Sequence, residues 1–356
     1  MKIAILAHLK YPIAQPFAGG LERHTHLLAS QLIKRGHSVT LFAARGSDPD
    51  IGTVDICDPT GDDCERIVET NAYRTVMARV ATGGFDLVHN NALHDLPLRE
   101  SRTLAPPMVC VLHTPPFQPY AAGMRACAPE MPLIGVSRSL ADEWAEIAPD
   151  VQVVENGIDV QAFPFAPHPV TPAYAFWSGR IVPEKGLHLA IEAARLAGMP
   201  LAFAGPRHPG SYWQTAIAPR LGQDVTDLGH LSQPDLARWL GGAQVALVSP
   251  CWEEPFGLVV AEALACGTPV AAFGRGALPT ILDGATGRLA APDDARDLAR
   301  AAREAMRLDR SACRRRAEAL FDVERMIDAY EDIYGRLVAS RDRPAASWRL
   351  PALASA

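Results

Sequence analysis

The stretch KIAILAHLKYPIAQPFAGGLERHTHLLASQLIKRGHSVTLFA (2–43) opens and closes on an apolar run, with a helical pattern in between. KIAILA (2–7) reads as a buried strand. A loop then reaches Gly19-Gly20, after which Leu21, Leu28, Leu32 and Ile33 fall on one face of an amphipathic helix. Gly36 stops that helix. SVTLFA (38–43) supplies the second strand. Strands joined by a helical crossover pair in parallel, so the fold class is α/β.

Outward from this βαβ unit, apolar runs return at DLVHNN (86–91), PMVCVLH (107–113), PLIGVS (132–137) and VQVVEN (151–156). Helical stretches separate them, which makes one doubly wound, Rossmann-like domain over 1–165. PFAPHPVTP (164–172) holds four prolines, is poor in hydrogen-bond donors, and reads as a linker. The alternation restarts with AYAFWS (173–178), PLAFAG (200–205), DVTDLG (224–229), QVALVSP (244–250) and PVAAFG (269–274), with helices such as 186–198 between. A second Rossmann-like domain therefore spans 173–321, facing the first across a cleft. Met326, Ile327, Tyr330, Tyr334 and Leu337 recur near helical spacing, so a helix over 322–340 should pack back toward the first domain. The tail 341–356, with its Pro and Ala, is expected to be disordered.

Composition narrows the function classes. The 356 residues exceed what one hydrophobic core usually organises, and 48% hydrophobic with 21% charged residues is the balance of a soluble globular protein. A net charge of −6 gives no reason to expect nucleic acid as a partner. The run Arg314, Arg315 and Arg316 reads as a solvated helix face. Seven scattered cysteines without a C-x-x-C spacing argue for reduced thiols in a cytoplasmic protein. Ile3 to Ala7 is too short for a signal-peptide core, and no apolar run approaches the ~18 residues of a membrane span. The expectation is a protein neither exported nor membrane-spanning; peripheral membrane contact and the oligomeric state stay open.

Ligands of open α/β sheets bind at the carboxyl ends of the strands, so the informative loops are those after the strands. Gly19-Gly20 opens a helix there and brings bare backbone N–H groups toward an anion, or serves the turn alone. SGRIVPEKG (178–186) places Arg180 and Lys185 after the first strand of the second domain, where two cations suit a diphosphate or form a solvated basic loop. The most specific stretch is EEPFGLVVAEALACGTPV (253–270). Glu254 stands just before a helix, able to accept hydrogen bonds from sugar hydroxyls, and Phe256 follows it. The free N–H groups of Gly257, Leu258 and Val259 at the helix start offer a phosphate site. Glu262, about two turns further, is an acid on an apolar face and needs a partner; a ribose diol is one, a salt bridge another.

With Gly19-Gly20 and its helix, His113 in HTPP, VSRSL (136–140), ENGID (155–159), Arg180 with Lys185, and the E-x7-E pair Glu254 and Glu262, the chain resembles the GT-B glycosyltransferases of family 4. These are retaining enzymes that use nucleotide-diphosphate sugars. The resemblance implies that Arg180 and Lys185 hold the donor pyrophosphate, that Glu254 holds the transferred sugar, and that Glu262 holds the ribose. It further implies that Gly20 lies against the phosphates and that His113 sits near the reacting carbon. Asn156, at the end of the last strand of the first domain, would face the same cleft. The implied reaction is hexosyl transfer by front-face substitution, with no cofactor beyond the nucleotide sugar, a UDP-sugar being favoured. The resemblance implies metal-independent chemistry, so no divalent metal is expected. The acceptor, a small molecule, glycan or lipid-linked hydroxyl, would meet loops 8–20, 90–102 and 113–130. HTPPFQPYAAGMRA (113–126) offers aromatics that would stack on a sugar or cap the sheet.

Rival readings remain. A dinucleotide oxidoreductase is disfavoured, because no G-x-G-x-x-G follows the first strand and Ala43-Ala44-Arg45 offers no acid for a ribose. A nucleotide-sugar epimerase or hydrolase of the same fold, or a non-catalytic sugar-nucleotide-binding protein, would share the diphosphate site.

Overall fold

The computed structural model describes residues 1–62 and 64–341. Among the described residues thirteen strands form two sheets. The first holds β1 Lys2–Leu6, β2 Ser38–Ala43, β3 Thr53–Asp55, β4 Leu87–Asn90, β5 Met108–Leu112, β6 Leu133–Gly135 and β7 Gln152–Val153. The second holds β8 Ala175–Ser178, β9 Leu201–Ala204, β10 Val225–Asp227, β11 Val245–Val248, β12 Val270–Phe273 and β13 Gly287–Ala290. Their orders are β3-β2-β1-β4-β5-β6-β7 and β10-β9-β8-β11-β12-β13. Every pairing is parallel, with Ile3 registered on Val39 and on Leu87, and Phe176 on Ala202 and Ala246.

Both orders reverse direction beside their first strand, between β1 and β4 and between β8 and β11. An α/β sheet opens a crevice at such a switch point. Ile3, Ala4, Ile5 and Leu6 are fully buried, as a central parallel strand covered on both faces requires. The sequence runs for β3 and β13 are missing from the pattern reading because each is an edge strand of three or four residues, and GRLA in β13 mixes polar with apolar. VQVVEN contributes only the two residues of β7, again at an edge.

Three helices matter for the site. Gly20–Lys34 follows the loop after β1, Leu258–Ala265 follows β11, and Val323–Arg341 returns to the first sheet. On the returning helix Ile327, Tyr330 and Tyr334 are fully buried, and Met326 and Ile333 nearly so. Arg35 anchors it by pairing with Glu324, Asp328 and Glu331, and His37 Nε2 lies 2.7 Å from Glu331 Oε1. Of the segment 341–356 expected to be disordered, Arg341 ends this helix and 342–356 lie outside the described residues.

The arginine run is not the solvated face expected of it. Arg314 donates to the carbonyls of Phe163 at 2.8 Å and Ala265 at 2.9 Å, and Arg316 donates to that of Ile281 at 2.7 Å. Buried Arg310 binds the carbonyls of Ala166, Gly241 and Ala243. These guanidiniums satisfy carbonyls of the connecting segment and of helix ends, a role their spacing alone does not reveal. Only Arg315 of the run is solvated.

Candidate active site

A cavity of about 420 Å³ lies between the two switch points and is lined from both sheets. From the first come Gly19, Gly20, His113 and Asn156; from the second come Arg180, Lys185, Glu254, Phe256, Gly257, Leu258, Val259 and Glu262. All the candidate residues thus converge on one cleft. Gly19 and Gly257 are the N-caps of their helices and neither helix has a side-chain cap. The N–H groups of Gly20 and Leu21, and of Leu258 and Val259, therefore lack intrahelical partners where the two domains meet. The approach is close: a Cβ added to Gly20 would lie 3.2 Å from Leu258 Cδ1, and one added to Gly19 would lie 3.7 Å from Arg180 Cδ. Gly257 has φ +90°, a left-handed turn that aims the chain from Phe256 into its helix.

Lys185 Nζ bonds Glu254 Oε2 at 2.7 Å, and Trp252 Nε1 donates to the same oxygen at 2.9 Å. Lys185 also lies 4.8 Å from the Trp252 ring centroid. Neighbouring Glu253 is turned away, accepting from Arg275 and from the Gly276 N–H. Arg180 is held loosely by Glu184 at 3.7 Å. Two cations, one carboxylate with a free oxygen, and two uncapped helix ends together can bind a diphosphate and the hydroxyls attached to it.

Glu262 is 2% exposed and its partner is Arg23, from the first helix of the opposite domain. In the fold the carboxylate takes the salt-bridge alternative. Arg23, its pKa pushed down to about 10 by burial, remains a cation at neutral pH. Sequence reading missed it, although Arg23 lies three residues after Gly20 and so shares its helix face. The buried face of this helix also carries Glu22, His24 and Thr25 beside Leu28 and Leu32. His8 Nε2 lies 3.0 Å from Glu22 Oε1. Burial opposes ionisation of Glu22, but the charge and hydrogen bond of His8 hold its pKa below the usual value.

His113 Nε2 bonds Asn91 Oδ1 at 2.9 Å, and its ring meets that of His24 edge-on at 4.8 Å. Burial, and then the imidazoles of His24, His89 and His8, push its pKa well below the usual histidine value. Burial likewise pushes His24 down to about 4. Asn156 is 5% exposed beside His24. Of the aromatics after His113, Tyr120 is buried against the sheet, edge-on to Trp144, whereas Phe117 is exposed and stacks on Tyr120 at 5.3 Å; neither lines this cavity.

Two parallel, doubly wound sheets with a phosphate-suited cleft between their switch points define the GT-B class. The Glycosyltransferase Family 4 model matches residues 18–162 and the Glycosyl transferases group 1 model matches residues 161–320. The chain belongs to the group 1 glycosyltransferases of GT-B fold. Glycogen synthase of Mycobacterium tuberculosis is 35% identical over 239 residues, 62% of this chain and 57% of that protein. The chain thus spans little more than half the length of that relative. The structure of sucrose-phosphate synthase from Thermosynechococcus elongatus superposes with a TM-score of 0.78 at 22% identity, over 95% of this chain and 99% of that one. Anabaena HepE in complex with UDP and glucose gives 0.73 at 18% identity, over 94% and 100%. At these identities the structural likenesses show the fold.

Proposed function

We propose that this chain is a hexosyltransferase that moves a sugar from a nucleotide diphosphate, UDP favoured, to an acceptor hydroxyl with retention at the anomeric carbon. The observation that carries the reading is the convergence of Arg180, Lys185 and two uncapped helix N-termini on one cleft beside Glu254. Breaking the bond from sugar to phosphate leaves charge on the departing diphosphate, and fixed cations with oriented N–H groups stabilise it without reorganising. No metal and no separate cofactor is needed in this scheme. In it Glu254 turns its free oxygen to the transferred sugar, Glu262 leaves Arg23 for the ribose, and the first domain presents the acceptor through the loops after β1, β4 and β5. The uridine preference is supported by the HepE complexes, which hold UDP and UDP-glucose. The seven free thiols accord with a cytoplasmic setting. No helix among the described residues is long and apolar enough to cross a membrane.

The deciding experiment follows donor consumption for a panel of nucleotide sugars, with and without candidate acceptors and with a chelator. Acceptor-dependent release of UDP, insensitive to chelator, with the donor's anomeric configuration kept in the product, is the expected result. Release without any acceptor would favour a hydrolase, and isomerised donor an epimerase.

A further inference from the structure

Among the described residues, Lys10 is the one lysine that the first domain sets into the cleft, and its charge is already answered. Its Nζ lies 3.1 Å from Asp62 Oδ1. Tyr11 donates to Asp62 Oδ2 at 2.5 Å, and His208 Nδ1, from the second domain, lies 3.3 Å from that oxygen. Arg23, the first domain's arginine in the cleft, belongs to the ribose end: it pairs with Glu262 and lies over the Phe17 ring, 5.8 Å from its centroid.

Glu22 is left without a lysine or arginine of its own. It is 5% exposed and lines the cleft. His8 Nδ1 accepts the Lys10 N–H at 3.2 Å, which turns Nε2 toward Glu22 Oε1, 3.0 Å away. Oε2 lies on the side of Gly19, where an added Cβ would come within 3.0 Å of it and 3.7 Å of Arg180 Cδ. Arg180 pairs with Glu184 instead. Thr114, after β5, lines the same cavity with a buried Oγ1 that has no protein partner among the described residues.

A carboxylate takes hydrogen bonds and gives none, so a ligand on this face must bring donors. Hydroxyls do so. A phosphate monoester brings acceptor oxygens and about −1.5 to −2 of charge at neutral pH, to a wall that holds a buried carboxylate and a lysine already neutralised.

We propose that the acceptor is an uncharged polyol, such as a sugar, whose hydroxyls donate to Glu22 Oε2 and meet Thr114 Oγ1, and that Asp62, by neutralising Lys10, keeps phosphorylated acceptors out. The proposal rests on the sugar-nucleotide reading of the cleft. In front-face substitution the attacking hydroxyl approaches from the side of the departing diphosphate, and Glu22 stands on that side, next to Arg180. Its carboxylate orients the acceptor while Glu254 orients the donor sugar from the opposite domain.

The test measures initial rates of transfer from UDP-glucose by the full chain, with products resolved by mass. The acceptors are neutral mono- and disaccharides and inositol, each set against its monophosphate. Neutral acceptors should be glycosylated, and a phosphate should lower kcat/KM at least about tenfold, the least that an uncompensated like charge costs. Glu22→Gln should raise the KM of the neutral acceptors about tenfold, the worth of a hydrogen bond to a charged group, while affinity for UDP is unchanged. Asp62→Asn frees Lys10 and should narrow the gap between each acceptor and its monophosphate. A preference for the phosphorylated members, or transfer to neither set by a chain that binds UDP-glucose, overturns this proposal and leaves the reading of the cleft intact. Indifference of the acceptor KM to Glu22→Gln, or of the gap to Asp62→Asn, overturns the role given to that residue. A chain that binds neither UDP nor UDP-glucose overturns the reading of the cleft and the proposal with it. If buried Glu22→Gln does not fold, the acceptor preference of the unsubstituted chain and of Asp62→Asn, at a half-exposed position, still decides.

Discussion

Glu254 and Glu262 stand eight residues apart on one segment, and their surroundings are opposite in kind. Glu254 shares an oxygen between Lys185 and Trp252 at the helix mouth, whereas Glu262 is 2% exposed and answered by a single guanidinium from the facing domain. Their neutral isosteres should therefore fail differently. Glu254→Gln should lower turnover with little loss of affinity for free UDP, since that ligand carries no sugar. Glu262→Gln should weaken UDP itself. Binding titrations followed by initial rates separate the two, and the reverse pattern would contradict the placement of the donor. Arg23 gives a second expectation at this scale. Arg23→Ala strands a buried carboxylate, which costs about 3 kcal/mol and should lower the urea midpoint. Saturating UDP should restore more of that loss than it adds to the parent chain, because the ribose takes over the same carboxylate. An unchanged midpoint would mean that Glu262 has compensation elsewhere.

The two helix starts make the same comparison possible one level up. Gly20 is the first residue of a 15-residue helix and does not need a left-handed backbone, so Gly20→Ala should raise stability by up to about 1 kcal/mol. Its new Cβ nevertheless points at Leu258 from 3.2 Å, into the space the phosphates would occupy, and affinity for UDP should fall. Gly257 has φ +90°, so Gly257→Ala should lose about 1–2 kcal/mol as well as affinity. Thermal melts with and without UDP read both quantities; parallel changes in the two variants would refute the distinction. The helices themselves, and the strands between them, were legible because apolar runs and 3.6-residue spacing are properties of the chain alone. So was the placing of Arg180, Lys185 and Glu254 after strands. What those patterns cannot carry is the partner of a polar residue on a buried helix face. Glu22, His24 and Thr25 sit where an amphipathic reading expects leucines, and they do so because that face borders a polar cleft made by other parts of the chain.

At the scale of the whole molecule, the buried imidazoles couple stability to pH. His24, His89 and His113 lie on three different elements and meet only in the folded chain, so their joint effect was not visible in the sequence. Burial pushes His24 from 6.5 down to about 4 and, with the help of His24, His89 from 6.5 down to about 3. Each ring is neutral in the fold and takes up a proton readily once unfolded. Between 6.5 and about 4 the unfolded chain therefore binds more protons than the native one, and stability rises with pH across that window. The contribution is complete above 6.5 and is lost as the pH falls toward about 4. For His24 alone the loss should reach roughly 2 kcal/mol by about pH 5. Urea midpoints measured from neutral pH down to about pH 5 should fall accordingly, before the carboxylates begin to titrate. His24→Asn keeps a polar side chain beside Asn156 but removes the titrating ring, so the slope of stability against pH should shrink in that variant. A midpoint that stays level through this range in the parent chain would show that the imidazoles are hydrated and charged in the fold. The lowered pKa of His113 would then fall as an inference as well, since it depends on the same burial and on the same neighbours.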